Sequence, residues 1–214
     1  MNKTTSIFEF VKHHRQRIAS VYIALNIAGF FAWNQIANSD SISWNATEAL
    51  FMISNLIMIG LFFSRREYKS IDKSVFRQSI AAIAFFSGLA FAGQPETGSD
   101  AIKDISFGIL IAAHLLGIIS LFNLGKSFGV LIANRKIKTG GIYSIVRHPM
   151  YVTDLLFRIG YVVSHFNLFA ATLLLLSGAC YVYRALLEER FLAADQDYAD
   201  YMKKVKYRFI PYIY

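Results

Sequence analysis

Apolar residues in this chain gather into six long runs that short polar segments separate. The runs cover residues 18–36, 49–63, 79–92, 105–122, 151–163 and 168–183. A helix needs roughly 20 apolar residues to cross a bilayer, and the lengths of the runs approach that value. Only residues 164–167 separate the last two runs, so these form a tight helical hairpin. The pattern predicts an all-α, multi-pass transmembrane bundle of about six spans, in which the third run is short for a full crossing.

The composition supports this interpretation. Of 214 residues, 55% are hydrophobic and 17% are charged, whereas a soluble domain carries about a quarter charged residues. We therefore expect a single integral membrane domain over residues 1–214, with three spans in 1–104 and the motif-bearing half in 105–214. The first run follows a basic leader and is long enough to span, so we expect it to remain as an uncleaved helix.

The positions of the charges predict the orientation. The net charge is +8, but Lys and Arg occur in short clusters between the apolar runs, which argues against a nucleic-acid-binding face. Segments 37–48 and 164–167 contain neither residue type, and 93–104 contains only Lys103. Because cytoplasmic loops are enriched in Lys and Arg, we expect both termini in the cytoplasm. We expect the membrane to be a bacterial inner membrane.

The two largest polar segments are 123–150 and 184–214, and both belong to the predicted cytoplasmic side. Any active site is expected there. In the second segment, apolar residues recur every three to four positions, which predicts an amphipathic helix that continues the last span. The residues with this spacing are Leu187, Phe191, Ala194, Tyr198, Tyr201 or Met202, and Val205.

A motif precedes the hairpin and an acidic pair follows it. Residues 141–151 read Gly-Ile-Tyr-Ser-Ile-Val-Arg-His-Pro-Met-Tyr, and the chain beyond the hairpin contains Arg184 and the pair Glu188–Glu189. This combination resembles the isoprenylcysteine carboxyl methyltransferase family and the related phospholipid methyltransferases. The resemblance runs from residues 124–128 to 208–211, roughly the C-terminal half. It implies a membrane methyltransferase that uses S-adenosylmethionine and a lipophilic or lipidated acceptor.

The residue types suit that cofactor, which carries a cationic sulfonium, a zwitterion, a ribose and an adenine. Arg147 can bind the methionyl carboxylate, and Glu188 or Glu189 can accept hydrogen bonds from the ammonium group or the ribose. Cofactor contacts are also expected from His148, Pro149 and two aromatic rings. Pro149 leaves backbone groups beside His148 free for a ligand, and the rings of Tyr143 and Tyr151 can face a cation. The two tyrosines fit an interfacial aromatic belt equally well.

The predicted catalytic residues are Arg147, His148, Glu188 and Glu189. An amine or thiol acceptor must lose a proton, which His148 or one of the glutamates could take, whereas a carboxylate acceptor needs no base. Substrate-binding residues are expected at Asp154, Arg184 and Arg208. Asp154 also lies four residues before Arg158, so the two could neutralise each other.

Other ligands and functions are weighed from the same residues. No His, Asp or Glu cluster has metal-ligand spacing, and the single Cys180 excludes an intrachain disulfide and a cysteine metal cluster, so we predict no metal. One alternative is an NADPH-dependent lipid or sterol double-bond reductase, because such enzymes have a similar His-Pro-x-Tyr segment. They generally carry Asn where this chain has Met150 and Gly-Glu where it has Thr153 and Asp154. A second alternative is a non-catalytic membrane binding protein. The acceptor could be a prenylcysteine carboxylate or a phospholipid amine, and the oligomeric state stays open.

Overall fold

The computed structural model describes residues 46–91 and 94–213. The first apolar run, 18–36, lies outside the described residues. The described chain is mostly helical, which confirms the all-α class. Its helices are α1 Ala46–Ser64, α2 Val75–Phe86, α3 Asp100–Leu124, α4 Pro149–Ser164, α5 Leu168–Leu192 and α6 Gln196–Lys204.

Each apolar run after the first forms a helix. Among the described residues, three helices are long and apolar enough to cross a membrane, and they include all of α1, α3 and α5. The third run forms a shorter apolar unit, because a 3-10 turn at Ser87–Phe91 extends α2. The fifth run is α4, with 16 residues. The protein is thus an integral membrane protein of several helices, and the count of six crossings and the orientation stay predictions.

The hairpin of α4 and α5 is confirmed. Helix α4 ends at Ser164, and the Asn167 side chain caps α5 by accepting from the Ala170 N–H at 2.8 Å. Helix α3 packs against α1 and α4, while α2 packs against α5. Ser106 of α3 donates to the Gly160 carbonyl of α4 at 2.6 Å. Such a short interhelical hydrogen bond holds the two backbones close together.

A small sheet joins two loops at the end of the bundle that carries the motif. Strand β1, Ser70–Ile71, pairs antiparallel with β2, Ala133–Asn134. The buried Gln78 side chain fixes the same loops, because it accepts from the Ile132 N–H at 2.9 Å and donates to the Ile132 carbonyl at 3.0 Å. This pairing places the segment after α3 beside the segment before α2.

The prediction that the tail helix continues the last span is wrong. Helix α5 ends at Leu192, and Asp195 begins the separate helix α6. The Asp195 carboxylate accepts from the Asp197 N–H at 3.0 Å and from Asn134 Nδ2 at 2.7 Å. A new N-cap and a partner on β2 therefore stabilise a turn at this point. The apolar face of α6 then packs back on Leu192 through Tyr198, Tyr201 and Val205.

Candidate functional site

The motif starts with a tight turn after the loop that contains β2. Gly141 has a positive φ of +61°, and a Cβ atom there would lie 1.8 Å from Oδ1 of Asn123. Both constraints favour glycine. The turn leads into Tyr143, which is buried, and Tyr201 of α6 donates to the Tyr143 carbonyl at 2.6 Å. Pro149 then occupies the first position of α4, where its missing N–H leaves no hydrogen bond unmade.

The tail after α6 runs along the motif. The backbone N–H groups of Arg147 and His148 donate to the carbonyls of Tyr207 and Arg208, both at 2.9 Å. The Arg147 side chain binds the same tail segment, because its Nη1 donates to the Val205 carbonyl at 2.7 Å and the Lys206 carbonyl at 2.8 Å. The tail therefore fixes the backbone and the guanidinium of the motif.

Glu189 lies at the centre of a buried ionic cluster. Its Oε1 accepts from Arg147 Nε at 2.7 Å and lies 3.0 Å from His148 Nε2, and its Oε2 accepts from Arg208 Nε at 2.8 Å. Only 5% of Glu189 is exposed. The structure thus brings four predicted site residues together. Because buried charges need partners, the cluster explains how an ionised glutamate is stable here.

Glu188 has a different environment. Its carboxylate accepts a hydrogen bond from the Tyr151 hydroxyl. The Tyr151 ring stacks on the His148 imidazole with 5.1 Å between centroids, and the Arg184 guanidinium lies 5.0 Å from the centre of the same ring. Glu188, Tyr151 and His148 therefore form a second group that shares only His148 with the Glu189 cluster.

Two predicted residues have mainly structural partners. Arg184 donates to the carbonyls of Ala81 at 2.9 Å and Val130 at 2.6 Å, so its guanidinium ties α5 to α2 and to the loop before β2. Asp154 accepts from Arg158 Nε at 2.7 Å, which agrees with the expected pair on one helix face. The Asp154 side chain is nevertheless 39% exposed, so part of its carboxylate remains accessible.

A cavity that we call the motif cavity opens beside these groups. Of the predicted site residues, its walls include Tyr143, Arg147, His148, Tyr151, Asp154, Arg184 and Glu188. Three other predicted residues, Pro149, Glu189 and Arg208, do not line it. The sequence does not distinguish Glu188 from Glu189. In the structure Glu188 faces the motif cavity, whereas Glu189 binds the motif and the tail.

A second cavity, which we call the span cavity, lies among helices α1 to α4. Its walls are mostly apolar, and they include Phe51, Met58, Leu89, Leu121, Phe157 and Tyr161. It shares Phe85, Met150 and Asp154 with the motif cavity. The two cavities are therefore neighbours, and Asp154 lies at their boundary.

The phenols at the motif cavity stay protonated. Burial raises the pKa of Tyr143 well above its usual range, and the nearby negative charge of Glu188 raises it further. Burial likewise raises the pKa of Tyr198 and Tyr201, which line the same cavity. These hydroxyls are hydrogen-bond donors and do not act as phenolate bases at neutral pH.

Sequence reasoning did not single out Arg135. This residue is 8% exposed and lines the motif cavity. Its Nε has no hydrogen-bond partner, and among the described residues no ion pair involves its guanidinium. In the sequence, Arg135 belongs to a basic cluster with Lys136 and Lys138 that the positive-inside rule already explains. No sequence signal distinguishes it from these neighbours.

Within the described ranges, no group of three or more His, Cys, Asp or Glu side chains could hold a metal ion. The side chains on the wall of the motif cavity include guanidinium, imidazole, carboxylate and aromatic groups. This is a helical membrane protein with a charged cavity beside an apolar one.

The comparison with protein families assigns it to a class. Residues 105–198 match the family model described as phospholipid methyltransferase. This match confirms, for residues 105–198, the resemblance to a family of membrane methyltransferases seen in the motif. No curated protein matches the chain. The matched family is one of membrane methyltransferases that act on lipid-related substrates, and the match implies this class of activity.

Proposed function

We propose that this protein transfers a methyl group from S-adenosylmethionine to a lipophilic or lipidated acceptor, and that the motif cavity holds the donor. The observation that carries the proposal is the grouping of His148, Tyr151 and Glu188 on the wall of one cavity in the family segment. A cationic, zwitterionic donor needs a carboxylate, a cation and aromatic surface in one place.

The residues present fit the cofactor. Glu188 supplies a carboxylate, Tyr151 and Tyr181 supply rings whose centroids are 5.0 Å apart, and Arg135 supplies a guanidinium with an unpartnered Nε. Bound S-adenosylmethionine would supply an electrophilic methyl group. The task of the protein is then to orient the reactants and exclude water, which accounts for much of the acceleration of an in-line displacement.

Four predicted or cavity-lining residues, Glu189, His148, Glu188 and Tyr151, receive specific roles in this proposal. Glu189 positions Arg147 and His148 from outside the cavity. Donation from His148 Nε2 to Glu189 leaves Nδ1 as the basic nitrogen of a neutral imidazole. That nitrogen is the candidate proton acceptor for an amine or thiol, whereas a carboxylate acceptor would need no base. Glu188 contacts the donor, and the Tyr151 hydroxyl holds the Glu188 carboxylate in place.

The span cavity suits the apolar part of an acceptor. It lies among predicted membrane spans and meets the motif cavity at Phe85, Met150 and Asp154. An acceptor with a hydrocarbon chain in the span cavity would present its polar end at Asp154. Although Arg158 pairs with Asp154, 39% of the Asp154 side chain stays exposed at this boundary and can accept a hydrogen bond from an amine, so a phospholipid amine is the acceptor class to test first. A prenylcysteine carboxylate is the second.

The direct test is transfer of labelled methyl groups by the detergent-purified protein. The protein is incubated with methyl-labelled S-adenosylmethionine and either an amine-bearing phospholipid or a prenylcysteine. We expect label in the lipid product, and we expect Glu188→Gln to lose it. Glu96→Gln is the matched control, because Glu96 forms an exposed ion pair with Lys103 outside the motif cavity.

Two results would contradict the proposal. Consumption of NADPH with a lipid olefin, without methyl transfer, would establish the reductase. Failure to bind either cofactor by a protein that still unfolds cooperatively would favour a non-catalytic binding protein.

A further inference from the structure

Arg135 is a buried cation for which the described residues supply neither a hydrogen-bond acceptor nor an ion-pair partner. Only 8% of Arg135 is exposed. Its Nε has no hydrogen-bond partner, and the described residues provide no ion pair for it. Removing a guanidinium from water without a counter-charge is costly. Arg147 and Arg184 line the same cavity but donate to Glu189 or to backbone carbonyls. The Nε of Arg184 also lacks a partner, but its two Nη atoms donate to the Ala81 and Val130 carbonyls, whereas no hydrogen bond from Arg135 occurs among the described residues.

The surroundings of Arg135 make room for its side chain. A Cβ atom on Gly129 would lie 2.6 Å from Nη1 and 2.9 Å from Cζ of Arg135, so a side chain at position 129 would displace the guanidinium. Burial lowers the pKa of Arg135, and the charge of Glu188 opposes this effect. Glu188 acts on Arg135 through space, since no ion pair joins them. Arginine stays charged in proteins, so the unmet positive charge persists.

Lysines add to the positive charge near this position. Lys136 and Lys138 line the same cavity, and the carboxylates on its wall are Asp154 and Glu188. Asp154 is paired with Arg158 at 2.7 Å, so Arg135, Lys136 and Lys138 share the wall with one carboxylate, Glu188, that makes no ion pair among the described residues. The wall around Arg135 is therefore suited to an incoming anion.

We propose that Arg135 binds an anionic oxygen group, a carboxylate or a phosphate, of a ligand in the motif cavity. The identity of the ligand rests on the proposed function. In that reaction the anionic group can come from two molecules. One source is the carboxylate of the methyl donor, and the other is the phosphate or carboxylate of the acceptor. A guanidinium can bind either group through two parallel hydrogen bonds.

The test compares ligands that differ only in the anionic group. The full-length protein in detergent is titrated calorimetrically with S-adenosylhomocysteine and with the same compound lacking its carboxylate. Inorganic phosphate is added separately, and the rise in unfolding temperature is recorded. The variants are Arg135→Gln, Gly129→Ala, which keeps the charge but displaces it, and Lys204→Gln, an exposed cation of α6, as the control.

If the donor carboxylate binds Arg135, the wild type prefers S-adenosylhomocysteine over the decarboxylated compound by about ten-fold or more, and Arg135→Gln removes that preference. If the acceptor anion binds there, Arg135→Gln leaves this preference intact, loses stabilisation by phosphate and raises KM for an anionic acceptor. In either case we expect Gly129→Ala to change ligand binding in the same direction as Arg135→Gln. Lys204→Gln should bind the ligands as the wild type does.

The inference is overturned if Arg135→Gln folds and matches the wild type in the titrations, in phosphate stabilisation and in KM. A failure of the proposed function gives a different result. In that case the wild type does not bind S-adenosylhomocysteine, but phosphate still stabilises it through Arg135.

Discussion

Glu188 and Glu189 are consecutive residues of α5, yet their carboxylates have different partners. Glu189 accepts from Arg147, Arg208 and His148, whereas Glu188 accepts from Tyr151 and faces the motif cavity. One glutamate therefore holds the motif and the tail together, and the other is available to a ligand. The two positions should respond differently to the same substitution.

Glu189→Gln is expected to destabilise the fold. The variant leaves two guanidinium groups without their buried counter-charge, and breaking a buried ionic group in this way typically costs about 3–5 kcal/mol. The measurement is thermal or denaturant unfolding of the variant and the wild type in the same detergent. Equal stability of the two proteins would show that the Glu189 cluster does not hold the tail.

Tyr151→Phe is expected to weaken cofactor binding while the fold persists. The ring keeps its stacking on His148 and its approach to Arg184, but the hydrogen bond from its hydroxyl to Glu188 is lost. A hydrogen bond to a charged group contributes about 1.5–3 kcal/mol, so we expect binding of S-adenosylhomocysteine to weaken by about ten-fold or more. Tyr183→Phe, an exposed position of α5, is the control. Equal weakening in both variants would argue against a specific role of the Tyr151 hydroxyl.

Arg158→Gln should unfold more easily than Asp154→Asn. The Arg158 guanidinium is 1% exposed and also donates to Ser87, Ser177 and the Ala84 carbonyl. Loss of this buried charge leaves its partners unsatisfied and is expected to cost about 3 kcal/mol. Asp154→Asn keeps those bonds and an amide oxygen that can accept from Arg158 Nε, so its loss of stability should be the smaller of the two even though the buried Arg158 loses its counter-charge, while KM for the acceptor rises. The reverse order of stabilities would contradict these roles.

Low pH is expected to destabilise the turn between α5 and α6, because Asp195 becomes protonated. Hydrogen bonds from Asn134 and from the Asp197 N–H, together with Lys69, lower the pKa of Asp195 below its usual 3.8. A group with a lowered folded-state pKa stabilises the fold above its unfolded pKa, and this contribution is lost as pH falls through the folded pKa.

Unfolding temperatures measured between about pH 5 and about pH 2.5 test this dependence. We expect the wild type to lose more stability over this range than Asp195→Asn, which can still cap the helix but does not titrate. Parallel loss of stability in both proteins would mean that other carboxyl groups dominate.

Much of the fold was predictable because apolar length is a local property. Every described run formed a helix, and the short 164–167 connection gave the hairpin. The break between α5 and α6 was not predictable from periodicity. Asp195 is fixed by Asn134, which is 61 positions earlier in the chain. Such a partner is invisible to a pattern that compares only neighbouring positions.

The site was also predictable only in part, because some of its features depend on contacts between residues that are distant in the sequence. The motif and the acidic pair identified Arg147, His148 and the two glutamates, because residue type and order are preserved in a family pattern. Which glutamate faces the cavity depends on how α5 packs against the tail. Arg135 was missed since its distinguishing property is the absence of a partner, and this becomes visible only when the surrounding described residues are placed around it.

The most direct test of the proposed function is calorimetric titration of the detergent-purified protein with S-adenosylhomocysteine, and separately with NADPH. The wild type should bind S-adenosylhomocysteine, and Glu188→Gln should bind it at least about ten-fold more weakly at an unchanged unfolding temperature. NADPH should not bind to either protein. Binding of NADPH alone, or binding of S-adenosylhomocysteine that is insensitive to Glu188→Gln, would contradict the account.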